Sequence, residues 1–377
     1  MPQQLVRLMR EWDGEYRPRD IERRQCELGA LGPAQWRELC DMVGLARDGR
    51  ERLLALYANL FTHVLRTESR CGTTLNPKFL LDLAGTSGDG VMHRHLRFEA
   101  VSIFDLAQML AWVENQPGES RFSVGEDMAQ LIDLFTRSLF EEGTQVARVF
   151  TYHEPDDHFH VRDVCLDRPP SGYCPSHVLE HSLVCRTFSN GRLVLLDHRP
   201  KGLFETAIKI LKQFKAGKAS WHRVFDRRGI KLIVPTVEDA HVLMDLVEAM
   251  AKEHGGKFVR GHSNITGNGT ARMDADNQHS SPFFKAAKCE FSFNNDAREW
   301  VFEVLIATFQ DHFSSMYATD QVNHELYRLT QALEVYLPLL WPQSVYRVDW
   351  KSSEVQNLLI AQVQDRLVRR FHPVRRS

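Results

Sequence analysis

The sequence predicts an α+β protein. A helical N-terminal domain is expected over residues 1–145 and a mixed β-sheet flanked by helices over 146–345. An amphipathic helix and basic tail should fill 346–377. Three observations carry this reading. Apolar residues recur at three- and four-residue spacing through the first 145 positions. From Val146 onward, short β-rich runs alternate with helical stretches. The compact run Ile230-Lys-Leu-Ile-Val234 then has the character of a buried parallel strand.

In chain order, residues 33–46 and 51–66 read as helices. Two more open with the capping patterns Ser102-Ile-Phe-Asp105 and Ser123-Val-Gly-Glu126. Residues 85–90 (GTSGDG) form a loop with no helix and lysine at P-loop spacing after it. Residues 146–153 and 159–166 read as strands around a polar turn, and 182–188 with 192–196 as a hairpin about Ser189-Asn190-Gly191. A basic amphipathic helix follows, with Phe204, Ala207, Ile208, Leu211 and Phe214 as its stripe. Thr236 caps a helix to about residue 254, and 255–281 reads as a long polar loop. Strands at 288–293 and 300–308, helices over 310–340 and a final helix over 353–370 complete the chain.

Composition excludes several classes. Of 377 residues, 43% are hydrophobic and 25% charged, which is incompatible with a collagen-like or largely disordered chain. No apolar run approaches the roughly 20 residues that cross a bilayer, and the first 14 residues do not make a secretory core, so a cytoplasmic protein without a membrane partner is expected. Seven cysteines (Cys26, Cys40, Cys71, Cys165, Cys174, Cys185 and Cys289) include no CxxC pair and read as reduced thiols. Charge is unevenly spread: between Arg199 and Lys231 ten Lys or Arg face two acids, Glu205 and Asp226. That island carries +8, so the rest carries −10 of the overall −2. Such an island suits a local polyanion, or is simply the solvated face of a helix.

Two carboxylates stand out. Glu303 is the one charge in Trp300-Val-Phe-Glu-Val-Leu-Ile306, on the face shared with Val301 and Leu305. It is either on an edge strand facing water or a metal ligand, because a desolvated carboxylate needs a cation or a donor. Asp226 precedes the Ile230 strand among Arg223, Arg227 and Arg228, as an ion-pair partner or a second ligand. On neighbouring strands the two would hold Mg²⁺, with the basic helix beside them for a triphosphate. A second cluster, His153-Glu-Pro-Asp-Asp-His158-Phe-His160, reads as a solvated turn or as a Zn²⁺ or Ni²⁺ site on His158 and His160. His93 and His95 read as surface residues, and the five arginines after Asp365 as a basic helix end or an RNA contact.

Taken in order, these segments resemble the RelA/SpoT-type pyrophosphotransferase (alarmone synthetase) domain. Arg199-Pro-Lys201 followed by Lys209 has the RxK…K spacing of that family. Phe225-Asp226-Arg-Arg-Gly-Ile230-Lys-Leu-Ile-Val is similar to its DLxGIRIIV strand and Glu303-Val-Leu-Ile-Ala-Thr308 to its EVQIRT strand. Asn277-Gln-His279-Ser-Ser281 lies where the family has NGYxSxH. The resemblance spans about residues 180–342 and implies a nucleotidyltransferase-like fold. It implies that Asp226 and Glu303 are catalytic and bind Mg²⁺, with Glu303 as the base. Arg199, Lys201, Lys209, Arg228 and Lys231 would bind the phosphates of ATP, and Asn277, His279 and Ser281 the acceptor. The implied reaction moves pyrophosphate from ATP to the 3′-hydroxyl of a nucleotide (GDP, GTP or another), as in the stringent response, or to a tRNA 3′ end, as in toxin-like relatives. The sequence departs from the family at four positions. Lys231 replaces an Arg, Glu205 a Ser, His279 a Tyr and Phe283 a His. Glu205, Lys231 and His279 favour an alternative, a catalytically silent nucleotide-sensing or RNA-binding module that keeps the fold. No His is followed by Asp, so the hydrolase found in bifunctional relatives is not expected in the N-terminal helices. Regulatory, target-binding and homo-oligomeric roles are open for them.

Overall fold

A computed structural model describes residues 3–12, 16–56, 74–86, 88, 90–154, 159–169, 171–188, 191–198, 200–218, 222, 224, 227–265, 285–295, 298–320 and 322–371. In chain order the principal elements begin with helices α1 (Gln3–Glu11), α2 (Pro18–Gly29), α3 (Pro33–Leu56), α4 (Pro77–Ala84), α5 (Val91–Glu114) and α6 (Arg121–Leu139). Strands β1 (Gln145–His153), β2 (Val161–Leu166), β3 (Val178–Thr187) and β4 (Leu193–His198) follow. Then come α7 (Leu203–Lys215), β5 (Gly229–Val234), α8 (Val237–Glu253), β6 (Lys257–Ser263), β7 (Ala287–Asn295) and β8 (Arg298–Thr308). The chain ends with α9 (Phe309–Tyr317), α10 (His324–Gln331), short helical turns, and α11 (Ser353–Phe371).

These elements form two compact units that do not follow chain order. One comprises Met1–Arg121, Gly202–Val224 and Ala332–Leu359, the other Phe122–Lys201, Phe225–Gln331 and Ile360–Ser377. The boundaries of these units do not coincide with the expected divisions at 145/146 and 345/346. The basic helix α7, expected in the sheet domain, belongs to the helical unit, where its buried stripe of Leu203, Phe204, Ala207, Ile208 and Leu211 packs against α1, α3 and α5.

Long-range pairing explains the other departures in the helical unit. Ser102 caps nothing: it lies inside α5, accepts a bond from Arg50 at 3.1 Å and donates to the Glu99 carbonyl at 3.0 Å. Asp105 forms a fully buried bidentate pair with Arg24 at 2.8 and 2.7 Å, with Tyr16 Oη donating at 3.2 Å. Burial pushes the Asp105 carboxyl up, and the Arg24 guanidinium opposes that shift. The helices expected at 33–46 and 51–66 are one, α3, as far as Leu56; residues 57–73 lie outside the described set. His95 is half-buried, bonded to the Val345 carbonyl at 2.7 Å and stacked on Tyr346, rather than a surface residue.

The second unit is built on one eight-stranded sheet of order β2-β1-β3-β4-β5-β8-β7-β6. Among the described strands only β5 and β8 pair in parallel, so the sheet is mixed, as expected. Strand alternation sends Ile230, Leu232, Val234, Phe302, Val304, Ile306, Phe291 and Phe293 to one face, under α6 and α8. Phe302, wholly buried, packs on Phe291, Phe293 and Phe135 there. Thr236 caps α8 in a reciprocal capping box with Asp239. On the opposite face, Val149, Cys185 and Ile233 pack with Phe309, Phe313 and Tyr317 of α9. Strand β6 was not expected, since 255–281 reads as loop. It is the edge strand, and its exposed residues show no alternation. Ser123 lies inside α6, which starts at Arg121, so it is not the cap of that helix. The six described cysteines are free thiols, and no described helix is long and apolar enough to cross a membrane.

Candidate functional site

The apolar alternation of β5 and β8 leaves a polar row on the α9 face of the sheet. The register sets Gly229 beside Glu303 and Lys231 beside Leu305 on one flank of β8. On the other flank, Glu290 lies opposite Glu303 and Lys288 opposite Leu305. Glu303 is therefore on an interior strand, which removes the edge-strand reading. Its side chain is 19% exposed. Lys231 and Lys288 straddle β8 on the same face, two strand spacings or roughly 9.6 Å apart.

Two backbone hydrogen bonds join the segments singled out in the sequence. Lys201 N donates to the Arg227 carbonyl at 2.9 Å, and Glu303 N donates to the Arg228 carbonyl at 2.8 Å. The RxK segment, the chain just after Asp226 and the Glu303 strand are thus stitched together at the start of β5. Asp226, Arg199, Asn277, His279 and Ser281 themselves lie outside the described residues. Lys209 is half-buried on α7, in the helical unit, and Glu205 is exposed in the first turn of that helix.

Arg228 is placed differently from the expectation. Even-numbered positions of β5 face α6, and Arg228 follows that parity into the core. Its Nε bonds Asp127 Oδ2 at 2.8 Å, with both side chains buried. It does not share a face with Glu303 and Lys231.

Charge at the row is dense. Lys288 Nζ lies 2.7 Å from Glu303 Oε2 and 3.4 Å from Glu290 Oε1, and Glu290 is 1% exposed. The Lys288–Glu303 contact is off hydrogen-bond geometry, so the buried Glu303 Oε2 receives no directed bond. A hard carboxylate oxygen is the kind of ligand Mg²⁺ takes, and here the Lys288 ammonium already lies against it. No three His, Cys, Asp or Glu side chains converge on one metal position among the described residues. Lys231 Nζ is 2.9 Å from His312 Nδ1 on α9. Burial, with Lys231 and His181 adding to it, lowers the His312 imidazole to about 3.

Lys288, Glu290 and His312 were missed in the sequence. Lys288-Cys-Glu-Phe-Ser-Phe293 alternates polar and apolar, a signal that marks the first two as sharing a face. The described members of the histidine cluster make hydrogen bonds within the fold. His160 bonds Asp320 at 2.8 Å, Thr151 links His153 and His181 at 2.9 Å each, and His158 lies outside the described residues. Arg366 and Arg370 pair with Glu325, which accounts for part of the C-terminal basic run.

No family model matches the sequence, and no curated protein matches it. Solved structures match this chain over part of its length. A GTP pyrophosphokinase family protein from Streptococcus pneumoniae is 16% identical, with a TM-score of 0.25, covering 48% of this chain and 74% of that one. Small alarmone synthetase 1 from Bacillus subtilis, solved with its product pppGpp, is 12% identical with a TM-score of 0.25, covering 45% and 77%. A second structure of that protein is 11% identical with a TM-score of 0.27, covering 45% and 81%.

Proposed function

We propose that this chain transfers pyrophosphate from ATP to the 3′-hydroxyl of an acceptor nucleotide. The observation that carries the reading is the stitching of its three motif segments at one end of β5, by the Lys201–Arg227 and Glu303–Arg228 backbone bonds. In the reaction the acceptor 3′-oxygen attacks the β-phosphorus, the Pα–O–Pβ bridge breaks and AMP leaves. Glu303 accepts the hydroxyl proton, while Arg199, Lys201 and Lys231 hold the phosphates in line. Asp226 and Glu303 would hold Mg²⁺, which supplies charge neutralisation on the transferred group when bound. Asn277, His279 and Ser281 would receive the acceptor, which is GDP, GTP, another nucleotide or a tRNA 3′ end.

A second reading, nucleotide binding without turnover, is favoured by the Lys288 ammonium lying against Glu303. Incubation with γ-labelled ATP, Mg²⁺ and a panel of nucleotides and tRNA separates the two. Transfer predicts label in one acceptor with matching AMP release. Bound ATP with no labelled acceptor across the panel would leave the silent module.

A further inference from the structure

We infer that His312 is a positioning residue for Lys231: its neutral imidazole accepts a hydrogen bond from the ammonium and aims that charge at the triphosphate. The inference rests on the proposed ATP site and adds a residue that no motif identifies. Lys231 shares the sheet face of Glu303 and lies in register with Leu305, two residues further along β8. Its Nζ is 2.9 Å from His312 Nδ1. An ammonium can only donate, so Nδ1 is the acceptor and the ring proton resides on Nε2.

The imidazole stays neutral because it is buried beside a cation, which holds its titration near 3. That neutrality matters. A carboxylate in the same place would orient the lysine but oppose its charge, whereas a neutral imidazole orients it without adding a negative charge. A lysine lacks the planar fork with which an arginine fixes its own direction. An external acceptor therefore does for Lys231 what guanidinium geometry does for an arginine. The ring itself is well held. It contacts Phe313, and Ser315 Oγ donates to the His312 carbonyl at 2.6 Å. Thr308 closes β8 and caps α9 through Asp311, so Glu303 and His312 ride on one continuous strand–helix unit. On β4, the exposed Asp197 is the register partner of Lys231.

Calorimetric titration of the full chain with ATP tests this with four variants: Lys231→Ala, His312→Leu, His312→Asn and the Lys231→Ala/His312→Leu double. Asn carries an acceptor at the place of Nδ1. Lys231→Ala and His312→Leu should each weaken ATP binding about tenfold, the scale of a charge-assisted hydrogen bond. The double should be no worse than Lys231→Ala, because the two act as one. His312→Asn should restore most of the affinity, which a purely packing role for the ring would not do. If wild type fails to bind ATP, the proposed function falls and this inference with it. If wild type binds but Lys231→Ala or His312→Leu binds equally well, or the two losses add, the positioning role alone is overturned. Should His312→Leu not fold, nitrogen-15 NMR of the wild-type histidines, assigned through His312→Asn, replaces it. A neutral Nε2–H tautomer at pH 6 is expected, and an Nδ1–H tautomer would overturn the proposal.

Discussion

Neutral buried imidazoles give the protein an acid sensitivity that begins above the range of its carboxylates. In the unfolded chain His312 titrates near 6.5; in the fold burial, Lys231 and His181 hold it near 3. Its folded value is depressed, so its contribution to stability is complete above about pH 6.5 and lost as pH falls from there towards 3. Over that window the unfolded chain binds one more proton, and stability should fall by about 1.4 kcal/mol per pH unit from this residue. His181, lowered by its own burial, steepens the upper part. Urea titrations at pH 7, 6, 5 and 4 should therefore show a shallower decline in His312→Asn than in wild type. Equal slopes would contradict a buried neutral His312. Asp105 shows why such residues are hard to read from sequence. Ser102-x-x-Asp105 has the letters of a helix cap, yet the carboxylate partner, Arg24, is 81 positions away. Local pattern carries no information about that pairing. Glu303, by contrast, was legible because a lone charge in an apolar strand stands out.

Elements whose sequences obey a single period were read almost to the residue. Strands β1, β5, β7 and β8, the amphipathic α7 and the Thr236-capped α8 all lie where alternation or a cap placed them. Elements that break a period for tertiary reasons were not. Strand β6 lies at the sheet edge with both sides largely exposed, so its residues carry no alternation to detect. Helix α3 reads as interrupted around Gly49, but the helix continues and the glycine has another purpose. A Cβ there would overlap the ring of Phe204, the buried α7 residue that packs against α3. Gly49→Ala gains about 1 kcal/mol of helix propensity. Forcing a methyl into the Phe204 ring costs about 1–3 kcal/mol or more. A net loss of stability is expected, read as a lower thermal midpoint. A raised midpoint would mean that α7 is not seated on α3 through this contact.

The division of the whole chain into units was the least legible feature. Neighbours in a chain usually share a core, but here residues 202–224 leave the sheet to complete the helical unit before β5 resumes it. The order of the candidate segments was legible, because RxK, the segment leading into β5 and the Glu303 strand each have a local signature. The site's supporting residues, Lys288, Glu290 and His312, were not, since strand register alone brings the first two beside Glu303 and a helix turn brings the third to Lys231. If this row transfers pyrophosphate with Glu303 as its base, turnover of γ-labelled ATP into acceptor will separate wild type from Glu303→Gln, a change that removes charge at nearly constant volume. A loss of at least about a hundredfold is expected in Glu303→Gln, the lower range for removing a general base or electrostatic group, with unchanged thermal unfolding. Turnover within a few-fold of wild type would contradict that role for Glu303.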